Sequence, residues 1–190
     1  VVIGTAQAGF TLIELMIVIV VLAIFVTVGV PNFQNLIREN RLATQANELV
    51  SSLHFARSEA IKRRLPVVLC RTANSTTCVA GGPSTWETGW LIFVDDNVNG
   101  VDGEATDNDG IFNSTEQLLR SVSAKPTSTL RSTVAGSNDT VRFRINGLLL
   151  NAPGSFDLCD LNTADTASKR NININVTGQV QTTQPATACP

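Results

Sequence analysis

The 190-residue sequence has no Tyr, one His and one Met, and only 5% of its residues are aromatic. Charged residues make up 16% and the formal net charge is -2, which excludes a surface that is basic throughout and holds nucleic acid by charge alone. His54 stands alone, so acid–base chemistry with a nucleophile has no evident pair and a surface position on a helix is expected for it. No G-x-S-x-G elbow, P-loop or G-x-G-x-x-G fingerprint is present, and no enzyme activity or cofactor is expected. Cysteine never occurs as C-x-x-C, which removes the common zinc and dithiol spacings. With 7 Pro and 13 Gly the chain is neither disordered nor collagen-like, and its length fits one ordinary domain.

What is present is unevenly distributed. Residues 15–30 hold no charge, and twelve of those sixteen are Leu, Ile, Val or Phe. As a helix, the 21 residues of 10–30 extend roughly 32 Å, close to the ~30 Å hydrocarbon core of a bilayer. Twelve central aliphatic or Phe side chains favour insertion by roughly 4–7 kcal/mol. A secretory signal would have basic residues before the run and a small-residue cleavage site after it. Here Ala6, Gln7, Ala8 and Gly9 precede it, while Pro31 and Asn32 follow. A core helix apolar all round needs a larger protein to hide it, so a membrane span is expected. Glu14 near its start is costly in that setting and calls for a partner. If the chain is cut between Gly9 and Phe10, the new α-amine lies four residues from Glu14, and in a bundle the amine of one copy neutralises the Glu of a neighbour.

The segment Gly9-Phe10-Thr11-Leu12-Ile13-Glu14-Leu15, with the apolar helix and Pro31 behind it, closely resembles the N-terminus of type IV pilins and type II secretion pseudopilins. The resemblance implies cleavage by prepilin peptidase after Gly9, N-methylation of Phe10, and assembly roles for Glu14 and Pro31. Residues 1–8 contain no Lys, Arg or initiator Met, so a truncated leader is expected. Three further stretches, at 67–70, 86–97 and 141–147, resemble the head of the GspH/FimT group of minor pilins and pseudopilins. A bacterial inner-membrane protein with a single span and a periplasmic head is implied, later part of a pilus or pseudopilus. Implied partners are other minor and major pilins or pseudopilins, the peptidase and inner-membrane lipid.

After Pro31, apolar or small residues at 33, 36, 37, 43, 46, 49, 50, 53, 56 and 60 mark one face of an amphipathic helix ending near Lys62. Pro31 should kink this helix without dividing it, and Pro66 ends the helical stretch. Strands are expected at 67–72, 91–95, 117–123, 129–134, 140–150, 156–161 and 171–181. The fold class is α+β and type IV pilin-like, a long N-terminal helix packed on a C-terminal antiparallel β-sheet head. The expected organisation is a leader (1–9), a membrane and filament-core helix (10–30), an amphipathic helix (31–64) and a β-rich head (65–190). Residues 38–71 carry seven Lys/Arg against three Glu, and residues 95–116 carry seven acids and no base. That segregation suits solvated surfaces or lateral recognition between subunits.

In a head outside the cytoplasm four Cys suggest two disulfides, with three formal pairings. Cys70–Cys78 closes a short loop and Cys159–Cys189 ties the C-terminal tail to the sheet; this pairing is favoured. The alternative, zinc, has only His54 to help. The stretch Asp95-Asp96-Asn97-Val98-Asn99-Gly100 partly matches a calcium loop, with Asp95, Asn97, Asn99 and Asp102 as candidate ligands. The closing Glu is absent, since Thr106 stands there, and an acidic hairpin turning at Asn99-Gly100 is favoured. Trp86 and Trp90 are expected to anchor the sheet.

The leading function is a minor pilin of the tip or priming complex of a type IV pilus. The alternatives are a minor pseudopilin of a type II secretion system and a DNA-binding minor pilin for natural transformation. For the last, the resemblance assigns DNA contact to a G-R-x-R stretch, which here reads Gly178-Gln179-Val180-Gln181. Arg142, Arg144, Lys169 and Arg170 remain as candidate contacts, and nucleic acid is disfavoured because phosphate binding needs cations.

Overall fold

The computed structural model describes residues 9–79, 81, 84–95, 112, 116–123, 125, 127–134, 140–161, 169–185 and 189, without the side chains of 28, 29, 31 and 32. The chain divides into two compact units, Val1–Glu39 and Asn40–Pro190. Helix α1 (Leu12–Arg63) begins in the first and ends in the second, continuous through position 31.

In the first unit the described large apolar side chains from Leu12 to Ile37 are exposed. Its run of Ile and Val has a low intrinsic helix preference, so the helical form depends on what surrounds it. Among the described residues no helix is long and apolar enough to cross a membrane; within the apolar run the side chains of 28 and 29 lie outside the described residues.

In the second unit α1 turns Leu42, Ala46, Leu49, Leu53, Ala56 and Ala60 onto one buried face, none more than 2% exposed. The alanines let strands approach the helix axis closely. The face expected from sequence began at Phe33, Leu36 and Ile37, but those side chains are exposed and belong to the first unit. The buried face starts instead at Leu42. Arg64 takes a left-handed backbone (φ 57°) and Pro66 forbids a further helical turn, so the chain enters the first strand.

Among the described residues eight antiparallel strands form two four-stranded sheets. The first holds β1 (Val67–Arg71), β2 (Gly89–Val94), β3 (Gln117–Ser123) and β5 (Thr140–Phe143) in the order β3-β2-β1-β5. The second holds β4 (Ser128–Ser132), β6 (Gly154–Asp160), β7 (Lys169–Ile174) and β8 (Val180–Thr183) in the order β4-β6-β7-β8. The antiparallel head expected from sequence is thus built of two sheets, and one core lies between α1 and residues of both, including Val67, Leu69, Ile92, Phe143, Phe156, Leu158, Ile172 and Ile174. Trp86, in a 3-10 turn before β2, meets Phe156 edge to face at 5.1 Å. Val68, Cys70, Leu91 and Phe93 form a smaller cluster with Cys78 and Phe112. β1 and β2 are thus buried on both faces, which is why their sequences run apolar without alternation.

Two expected strands are hairpins instead. Residues 140–150 turn at Asn146-Gly147, where the Arg144 carbonyl accepts from Gly147 N–H at 2.8 Å and Leu149 returns to pair with Phe143. Residues 171–181 turn after Ile174, where Asn175 Oδ1 accepts from the N–H groups of Thr177 (3.1 Å) and Gln179 (2.9 Å). Val176 is exposed in that turn. Asn closing its own backbone turn outweighs the apolar pattern at both places.

Candidate assembly site

At the start of α1 the Thr11 carbonyl accepts the first helical hydrogen bond, from Leu15 N–H at 3.2 Å, and its hydroxyl accepts from Glu14 N–H at 3.3 Å. Thr11 therefore stands as the N-cap and Glu14 as the third helical residue, with the acid at the positive end of the helix dipole. Thr11 was not among the expected site residues, although a Thr three residues before an acid at the head of an apolar run is a local signature of a helix start. Gly9 and Phe10 lie ahead of the helix and are exposed. Glu14 is exposed and makes no ion pair among the described residues.

The head is clamped to α1 by polar side chains at three- and four-residue spacing. Arg41 pairs with Asp160 at 2.6 Å, Gln45 accepts from the Ser128 hydroxyl, and Glu48 meets Lys125 at 3.1 Å. Further along, Arg57 Nε donates to the Gly147 carbonyl at 3.1 Å. Hydrogen bonding from Arg63, helped by the charge of Lys62, holds the Glu59 carboxyl below its ordinary value despite burial. Asp95 and Arg142 form a pair at 2.8 Å with Asp95 fully buried. Glu87 pairs with Arg131 and accepts from Leu130 N–H at 3.1 Å, tying the 3-10 turn to β4.

Cys70 is bonded to Cys78 and Cys159 to Cys189, with Cα separations of 5.6 and 6.0 Å. This is the favoured pairing, and with no thiol left free zinc has no thiolates. His54 is exposed on α1, and Trp86 and Trp90 are buried and cannot serve as a binding platform.

The family model described as type II transport protein GspH matches residues 45–178, and the prokaryotic N-terminal methylation motif matches residues 4–30. The chain belongs to the GspH family. Two crystal structures of the type IV minor pilin FimU of Pseudomonas aeruginosa share its fold. One is 21% identical with a TM-score of 0.54, covering 79% of this chain and 93% of that one. The other is 20% identical with a TM-score of 0.52, covering 77% and 96%. The minor pseudopilin EpsH of Vibrio cholerae is 9% identical over 75% of this chain and 96% of that one, with a TM-score of 0.49. No curated protein matches the sequence significantly. As a GspH-family chain carrying the methylation motif, the protein is a pilus or pseudopilus component of the minor pilin and pseudopilin type.

The candidate DNA contacts are not brought together. Arg142 lies on β5 of the first sheet and Arg144 just after it, whereas Lys169 and Arg170 lie on β7 of the second. Arg142 is held by Asp95, and Lys169 is buried against Asp157 at 3.4 Å. Arg170 donates to the Lys169 carbonyl at 3.0 Å, and Arg144 is exposed. Gln179 and Gln181 are exposed on the second hairpin. Of the calcium candidates, Asp95 has its carboxylate engaged by Arg142, while Asn97, Asn99 and Asp102 lie outside the described residues. Among the described residues no group of three or more His, Cys, Asp or Glu could hold a metal ion.

Proposed function

We propose that the chain is a minor pilin, processed by prepilin peptidase between Gly9 and Phe10, methylated at Phe10, and built into the tip or priming complex of a type IV pilus. The observation that carries the reading is the methylation motif over residues 4–30, joined to a capped helix start that leaves Gly9 and Phe10 exposed ahead of α1. Residues 10–30 anchor the precursor in the inner membrane with the head in the periplasm, and 31–64 join anchor to head. The apolar run favours lipid by several kcal/mol, and two disulfides suit an oxidising compartment. The protein acts as a substrate of the peptidase and as a building block, with other pilins as its partners.

In the assembled filament Glu14 accepts the charge of a neighbour's N-terminal amine. A buried pair tolerates low dielectric where either charge alone does not. Glu14→Ala should leave the head folded and cleavage intact while lowering the amount of chain recovered in sheared filaments; normal incorporation would refute this role. A second reading, a minor pseudopilin of a type II secretion system, is favoured by the description of the matching family model. Deleting the gene separates the two, because loss of surface pili with normal protein export supports the pilus and the opposite result supports secretion.

A further inference from the structure

The outer face of the second sheet carries a row of uncharged polar side chains. Ser155 of β6 stands directly across from Asn173 of β7, and Asn173 directly across from Gln181 of β8. Residues opposite one another in antiparallel strands project to the same side, so the three share one face while Phe156, Ile172 and Ile174 fill the core behind them. Thr133 extends the row, its hydroxyl 3.1 Å from that of Ser155. These side chains line a groove of about 340 Å³, with Gln179 at its rim, within the ordinary range of small-ligand sites.

We propose that this groove binds a neutral oligosaccharide. Among the described residues that line it there is no Lys, Arg, Asp or Glu, so it offers neither the cations an anionic ligand needs nor the carboxylates a metal needs. Part of its hydrogen-bonding capacity is unspent. The carboxamides of Asn173 and Gln181 have no partner among the described residues, whereas that of Asn175 is consumed by its own turn. A carboxamide presents two donors and an acceptor side by side, which matches vicinal hydroxyls and the C=O and N–H of an acetamido group. An extended peptide would instead recruit the backbone of the β8 edge, but the unspent groups lie on the face of the sheet. The glutamines at 179 and 181 thus mark a groove suited to hydroxyl-rich ligands where a basic pair would suit phosphates.

The test uses the full chain in micelles of a detergent without a sugar headgroup, titrated with chitotetraose and cellotetraose and followed by calorimetry and saturation-transfer NMR. Saturable binding of at least one, with a dissociation constant at or below about 1 mM, is expected. The near-isosteric double variant Asn173→Leu/Gln181→Met should weaken it about tenfold or more, through loss of two neutral hydrogen-bonding groups, without moving the unfolding midpoint. Should that variant be unstable, Gln181→Arg serves instead, and it should weaken the sugar and confer binding of octathymidylate. Absence of saturable binding by both sugars, binding undiminished by the substitutions, or preference of the unaltered chain for an extended octapeptide or for octathymidylate would each overturn the proposal.

Discussion

Three glycines separate the conformational and steric parts of a substitution cost within one head. Gly81 has φ +70° and open space around a built Cβ. Gly154 has no positive φ, but a Cβ there would meet the Val134 backbone at 2.5 Å (Cα) and 2.7 Å (N). Gly178 combines both, with φ +71° and a Cβ 2.6 Å from the Gly147 carbonyl oxygen. That oxygen accepts from Arg57 Nε, so moving it loosens the attachment of both hairpin turns to α1. Gly81→Ala should cost about 1 kcal/mol, the left-handed penalty less the unfolded-state entropy it removes. Gly154→Ala should cost about 2–3 kcal/mol, because backbone must shift in a packed region. Gly178→Ala adds the left-handed penalty and a weakened hydrogen bond, for about 3–4 kcal/mol. For a unit of this size, 3–4 kcal/mol lowers the melting temperature by roughly 6–15 °C. Urea unfolding of a fragment starting at residue 40, followed through the buried Trp86 and Trp90, reads all three. A Gly178→Ala cost no larger than that of Gly81→Ala would refute the close docking of the two turns.

Replacing Cys159 and Cys189 by Ser should destabilise the head by about 3–4 kcal/mol, and replacing Cys70 and Cys78 by about 2–3 kcal/mol, because the first pair closes the longer loop; denaturation midpoints of the two double variants check the order. Asp95→Ala removes a fully buried carboxylate from its charge-assisted bond with Arg142 and should cost about 1–3 kcal/mol, measurable by thermal unfolding; an effect below about 0.5 kcal/mol would place the pair in effectively solvated surroundings. The Glu59 carboxyl lies below its ordinary 4.5 in the folded chain, so its stabilising contribution is complete above that value and disappears as pH falls through the folded value. The stability gap between the unaltered head and Glu59→Gln should therefore hold steady from pH 7 to 5 and close at more acid pH; a gap that widens on acidification would contradict the assignment.

Local signals carried the parts of this fold that were legible beforehand. The three- and four-residue apolar spacing and Pro66 defined the end of α1 to within a residue, since both act over one or two helical turns. Leu42 was missed because Arg41 beside it reads as a solvated position; the structure shows that Arg41 crosses to Asp160 instead. The hairpins at 144–149 and 175–179 were read as parts of single strands because apolar residues continue through both turns, at Leu148 and Val176. Asn146-Gly147 and Asn175 with Gly178 were the stronger signals. The Asp95–Arg142 pair joins residues 47 apart in sequence, beyond the reach of any local pattern, so Asp95 was read with its acidic neighbours as a possible ligand. The resemblance at the N-terminus was legible at once because the segment that carries it, Gly9 to Leu15, is contiguous in sequence.

Processing at Gly9-Phe10 is the central claim, and intact-mass analysis with N-terminal sequencing tests it most directly. The full-length chain, coexpressed with a prepilin peptidase, should be recovered beginning at Phe10 and carrying one added methyl group on its α-amine. A chain that retains residues upstream of Phe10, or begins elsewhere, would contradict the account.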